Sequence, residues 1–356
     1  MPHPVYRGHF LSSLLQERPA IWRWRRAIRA AFCIGAPFAV GLMTGDIMTG
    51  MWVAMGCLMM VTAESFIPYR EVYRTILISA PIGALGYLAG YLSPLPWGFI
   101  VFAMMLAGLA SGLLSSAGHA LSLGALQFLL LASIALGVPS IGLFWQPAAL
   151  YLAGAAFYAL VLGVEVLVRG WHAQDVQMAA AGVTSSRHAP PNARTQLAQA
   201  LALALCLGAA YSAHWFDRSP HWFWIPLTVG LVMKPDLGPI RDRSFQRIIG
   251  TVGGVAIGAI ILSLVPKGNF FVLIMALLAG VLPWAMQRSY VLQAVFLTPL
   301  ILMLVDVIIP GSRDVDFALQ RLLDTAIGSA IVILIGYLPL QAYYASANGS
   351  AVSKAP

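Results

Sequence analysis

The chain has 356 residues, of which 60% are hydrophobic and only 10% charged, with a mean hydropathy of +0.81. No water-soluble globular chain is built this way, so lipid is the solvent for most of its surface, and a large soluble domain is excluded. The formal charge of +8 does not point to a nucleic-acid partner, because the basic residues sit at the ends of apolar runs, where membrane topology wants them.

Residues 1–26 read as an amphipathic cytoplasmic lead-in, with Arg18, Arg23, Arg25 and Arg26 set around Trp22 and Trp24 and no cleavable signal core. Apolar runs long enough to cross about 30 Å of hydrocarbon then predict helices at 27–44, 49–66, 73–92, 96–115, 118–137 and 146–168. Pro68, Pro94, Pro96 and Pro139 punctuate the turns. Residues 169–194 turn polar, carry Pro190-Pro191 and read as a cytoplasmic linker. A second set follows at 195–214, 219–234, 245–265, 269–286, 289–308 and 317–340, and 341–356 read as a loose cytoplasmic tail. The expected fold is an all-α polytopic membrane protein of about twelve transmembrane helices, arranged as blocks 27–168 and 195–340.

Seventeen of the 21 lysines and arginines fall on one side of this arrangement; Arg218, Lys267, Arg313 and Arg321 fall on the other. The bias puts both termini and the linker inside. The three cysteines, Cys33, Cys57 and Cys206, lie in apolar helices and read as small buried hydrophobes.

Two repeats are legible. Trp52 to Arg74 spans 22 positions and Trp224 to Arg247 spans 23, each an aromatic-led helix, a basic turn and a Gly-rich helix. Six helices per half give both halves one orientation. Inside the second half, Pro226, Arg241, Phe245, Arg247, Thr251 and Gly254 recur in order as Pro299, Arg313, Phe317, Arg321, Thr325 and Gly328. Three helices separate the copies, so the second is inverted.

The seven histidines are scattered, no Gly-rich phosphate loop ends in Lys-Ser or Lys-Thr, and there is no Gly-x-Ser-x-Gly elbow. No metal, cofactor or enzymatic activity is expected. What remains is charge at membrane depth, which is costly in lipid and defaults to function. Arg247, Gly250, Thr251, Gly254 and Gly258 share one helix face, a guanidinium at the mouth of a small-residue seam. Arg247 reads as an anion contact or as an anchor that snorkels to headgroups. Arg321 and Asp324, at i and i+3, read as a local ion pair, or as an outer anion contact with its counter-ion or protonatable switch. Glu64 is a second proton-coupling candidate, whereas Glu165 reads as interfacial and Asp306 as the edge of its helix. Gln127 and Gln293 read as amide glue between helices. Trp224 fits the interfacial belt, or a stacking platform for an aromatic substrate. Lys234 closes its helix as a dipole anchor or substrate contact, and Arg74 is the first-half counterpart of Arg247.

Trp224-Ile225-Pro226-Leu227-Thr228, Lys234-Pro235-Asp236 and Gln246-Arg247-Ile248-Ile249-Gly250-Thr251 with Gly254 resemble the fusaric acid resistance and aromatic acid exporter family, itself distantly similar to the plant aluminium-activated malate transporters. The resemblance covers about 195–340; the first half matches only in layout. It implies a multi-pass bacterial inner-membrane protein with a route for organic anions between two six-helix blocks, and puts Arg247, Gly250, Thr251 and Gly254 at motif positions. Many members carry a large cytoplasmic domain after each block, where this chain has a short linker and tail; whether an accessory efflux subunit or homo-oligomer stands in for it is open.

The expected function is export of small organic, including aromatic, acid anions by alternating access. Passive anion channel, non-transporting scaffold for envelope assembly and, more distantly, lipid-modifying enzyme are the alternatives.

Overall fold

Backbone that crosses lipid must satisfy its own hydrogen bonds, and in the computed structural model every element among the described residues is helical. The structure describes residues 20–64, 67–138, 143, 145–172, 192–216, 219, 221–233, 240–308 and 315–352. In chain order the helices are α1 (Trp24–Thr44), α2 (Ile47–Ala63), α3 (Tyr69–Tyr87), α4 (Trp97–Leu114), α5 (His119–Gly137), α6 (Trp145–Arg169) and α7 (Ala193–Ser212). There follow α8 (Trp224–Val232), α9 (Ile240–Leu264), α10 (Asn269–Arg288), α11 (Tyr290–Ile308), α12 (Val315–Ile331) and α13 (Leu338–Val352), the last two joined by a π-helical turn, Val332–Tyr337.

Ten of the described helices are long and apolar enough to cross a membrane. α2, at 17 residues, is a shorter apolar helix. Within the segment expected to span at 219–234 the helix is short: α8 has only 9 residues, roughly 14 Å at 1.5 Å per residue. Residues 221–230 are buried throughout. A helix that is apolar all round is buried, in a core or within a membrane span, and hydropathy alone does not show how much of an apolar run is helical. The tail also departs from expectation: α13 continues to Val352 through an alanine-bearing run, Leu338-Pro-Leu-Gln-Ala-Tyr-Tyr-Ala, where a loose end was expected.

α1 and α2 form a tight hairpin. Gly45 takes a left-handed φ of 79° and closes α1, and Asp46 caps α2 by accepting from Thr49 N at 3.1 Å. Hydrogen bonds from Thr49 hold the Asp46 carboxyl below the usual carboxylate range. α2 then crosses α6 with backbones almost touching: a methyl on Gly56 would lie 2.2 Å from the Tyr151 carbonyl oxygen.

Helices α1–α6 and α7–α12 find corresponding neighbours. α1 packs on α2, α2 on α6, and α3 on α5 and α6; α7 packs on α8, α8 on α12, and α9 on α11 and α12. Between the sets, α4 packs on α7 and α10 on α1, while α5 touches α8 and α11 touches α2. The outer helices turn large apolar side chains outward, such as Leu77, Leu167 and Phe270, as a lipid-facing surface requires.

Candidate functional site

α9 and α12 bring two guanidiniums into the interior. Arg247 and Arg321 are each 1% exposed, so neither snorkels to a headgroup, and they lie within electrostatic reach of one another. Arg321 stacks its guanidinium on the Trp224 ring, 4.2 Å from the ring centroid. Asp324, one turn on, is the opposite charge that acts on Arg321. Nε and Nη2 of Arg247 and both Nη atoms of Arg321 lack a hydrogen-bond partner among the described residues. The Thr251 hydroxyl, fully buried one turn beyond Arg247, is also unpartnered. Trp224 is fully buried beside Phe223, which removes the interfacial-belt reading.

The glycines explain how α9 and α12 come so close to their neighbours. Gly250, Gly254 and Gly258 all face α11; a methyl on Gly254 would lie 2.7 Å from Thr298 Cβ and 2.9 Å from the Val295 carbonyl. Gly328 of α12 faces α8 in the same manner, against Ile225 O and Thr228. The proline-bearing helix of each proposed inverted copy therefore meets the glycine face of the other.

A cavity of about 460 Å³ lies between the two sets of six helices. Its deep wall is apolar, with Met55 and Met59 of α2, Leu130 of α5, Leu227 of α8, and Leu297 and Ile301 of α11. Its polar groups gather where α1, α5 and α11 begin and α2 and α10 end: Arg26, Glu64, His119, Gln287, Tyr290 and Gln293. Gln127 also lines it, bonded to Met59 O at 3.2 Å and accepting from Tyr151 Oη at 3.1 Å, so it is interhelical glue and cavity wall at once. Arg247 and Arg321 are not in this wall. Tyr290 stands between: it lines the cavity, donates to Leu231 O at 3.1 Å, and lies within electrostatic reach of Arg247.

Glu64 is the centre of a buried charge cluster. Arg29 pairs with it at 2.6 Å and also grips Glu165; Arg26 Nε lies 3.6 Å from its carboxylate and donates through Nη2 to its carbonyl; Tyr158 donates to it. Glu165 accepts from Tyr69 at 2.8 Å and meets Arg169 at 3.4 Å. Glu165, expected at the interface near the end of its helix, is partly buried there as an ion-pair partner of Arg29 and Arg169. Sequence reading missed Arg26, Arg29, Tyr158 and Tyr290; the one local signal was Glu165 and Arg169 at i and i+4.

Arg74 falls elsewhere. Its side chain is 69% exposed and pairs loosely with Glu71. The 22 and 23 positions that matched it to Arg247 each run across a turn between two helices, so the spacing does not fix which face of the second helix the arginine takes. Asp306, expected at a helix edge, is 1% exposed and paired with Lys267 at 3.0 Å. Lys234 and Arg313 lie outside the described residues. All three cysteines are buried and free, as expected.

Comparison with known proteins bears out the resemblance in the second half. Residues 197–335 match the family described as fusaric acid resistance protein-like. The inner membrane protein YccS of Escherichia coli K12 is 35% identical over 150 residues, 41% of this chain and 20% of YccS. The uncharacterized membrane protein YvaC of Bacillus subtilis 168 is 34% identical over 120 residues, 33% of this chain and 18% of YvaC. The matched stretch spans about a fifth of the length of these curated relatives. No solved structure matches.

Proposed function

We propose that this multi-pass membrane protein, whose second half is similar to fusaric acid resistance-like proteins, exports small organic anions across a bacterial inner membrane. The observation that carries the reading is the buried guanidinium pair. Among the described residues Arg247 and Arg321 keep N–H groups unpartnered in the interior, with Asp324 set against Arg321. An uncompensated buried charge costs several kcal/mol, so a carboxylate that reaches them is strongly stabilised. Trp224 and Thr251 complete the surroundings, and Tyr290 is the door between this pair and the cavity.

The matched packing of α1–α6 and α7–α12 supports two six-helix blocks of one orientation. The reciprocal glycine and proline contacts support the inverted three-helix repeat in the second. With the termini inside, as the arginine distribution predicts, the polar end of the cavity faces the cytoplasm, the side from which an exporter loads. The blocks then rock about their close-packed seams. Asp324 and Glu64 are the carboxyls through which a proton gradient would couple.

The test is flux of a labelled monocarboxylate such as benzoate from proteoliposomes. Arg247→Gln and Arg321→Gln each lower the rate at least tenfold, a loss of about 1.4 kcal/mol, with the protein still folded and monodisperse. Undiminished flux in both variants refutes the reading. Flux that follows voltage but ignores an imposed pH gradient makes the protein a channel instead.

A further inference from the structure

We infer that the cavity between the two sets of helices is a binding site for an elongated amphipathic monocarboxylate, with Arg26 as the residue that takes its acid group. This rests on the transport reading and gives it a substrate class, through residues outside the Arg247–Arg321 pair.

The first observation is shape. On α11 the lining runs from Tyr290 to Ile301, and on α5 from His119 to Ile134, roughly 16 and 22 Å along the helices at 1.5 Å per residue. A volume of about 460 Å³ over that depth is a slot, larger than a single-ring acid fills. The second is polarity. Charged lining is confined to the shallow end, at Arg26 and Glu64, while Met55, Leu227 and Ile301 close the deep end. A solute charged at both ends would bury one charge against methionine and leucine, at a cost of several kcal/mol; a single-headed one would not.

The third observation is charge. Among the described residues three guanidiniums, Arg26, Arg29 and Arg169, pair with two carboxylates, Glu64 and Glu165, and Arg23 lies within electrostatic reach of Glu64 as well, so the cluster keeps an excess of positive charge. Arg29 is spent, held by Glu64, Glu165 and Tyr158. Arg26 is not. It is 8% exposed, lines the cavity, and its Nε has no hydrogen-bond partner among the described residues, since Glu64 Oε1 stands 3.6 Å away. An incoming carboxylate accepts from Arg26 while Arg29 and Tyr158 go on holding Glu64.

The experiment measures saturable binding of labelled decanoate to the full chain in nanodiscs, with empty nanodiscs subtracted. Affinity rises about fourfold per methylene from hexanoate to decanoate and stops rising by tetradecanoate, when the slot is full. Decylamine and decanol do not compete. Arg26→Gln weakens decanoate binding at least tenfold and Arg26→Lys restores part of it. Leu227→Phe, which fills the deep end, shifts the optimum to a shorter chain without touching the acid contact. Decanoate binding that ignores Arg26→Gln, or affinity that grows with chain length through tetradecanoate, overturns the site. Loss of flux in Arg247→Gln with decanoate binding intact supports it, and binding by a wild-type protein that moves no anion supports the site while refuting export.

Discussion

Arg29→Met tests whether the charge cluster at the base of the first six helices holds the fold together. Arg29 is 5% exposed and makes three contacts that its loss would leave behind: Glu64 at 2.6 Å, Glu165, and Tyr158 Oη at 3.2 Å. Removing one partner of a buried ion pair costs about 3–5 kcal/mol, because the other charge stays buried and unpaired. Arg26 and Arg169 remain to soften the loss for Glu64 and Glu165, at 3.6 and 3.4 Å, which puts the expectation at the lower end, about 3 kcal/mol. Methionine keeps the volume, so packing is not what the variant measures. In Arg29→Met with Glu64→Met one of the two stranded carboxylates is gone, and the double variant is more stable than the sum of the two losses by about 2 kcal/mol. The assay is equilibrium unfolding in mixed micelles, followed by tryptophan fluorescence. Losses that add within about 0.5 kcal/mol, or an Arg29→Met that costs less than about 1 kcal/mol, would show that the cluster behaves as a solvated surface set and refute the reasoning.

Arg74→Ala is expected to leave both stability and anion flux within experimental error of wild type, since its side chain is mostly exposed; a tenfold flux loss would restore it as the counterpart of Arg247. Gly254→Ala forces α9 away from α11, because its Cβ would stand 2.7 Å from Thr298 Cβ; it costs about 1–3 kcal/mol in the same unfolding assay. Trp224→Leu removes the ring under Arg321 and one of the largest fully buried side chains; anion flux and stability both fall, whereas Trp224→Phe keeps a face for the guanidinium and recovers part of the flux. Cys33, Cys57 and Cys206 are buried, so a membrane-impermeant maleimide labels none of them in the folded protein and all three after denaturation.

Long spans were legible because a run such as Phe296-Leu-Thr-Pro-Leu-Ile-Leu-Met-Leu-Val305 has one physical outcome in lipid. The glycine face of α9 was legible for a related reason: spacing of three and four residues is geometry carried in the sequence. The shortness of α8 was not, since His221-Trp-Phe-Trp-Ile-Pro-Leu-Thr-Val has the composition of a full-length span while the helix itself runs only from Trp224 to Val232. The Glu64 cluster was invisible because the links that assemble it span 35 positions, from Arg29 to Glu64, and 136, from Arg29 to Glu165. Arginines near the N-terminus satisfy the charge-bias rule so well that nothing in the sequence hints at their burial.

The exchange of neighbours between the two sets has a practical meaning for anyone who would cut the chain. α10 covers a flank of α1, and α4 covers a flank of α7, so each part keeps an apolar side dry only with help from the other. Severed between α6 and α7, the pieces should accumulate when co-expressed and be degraded when made singly. On that expectation the region that resembles other proteins is not a detachable module here, and its stability is shared with the rest of the polypeptide.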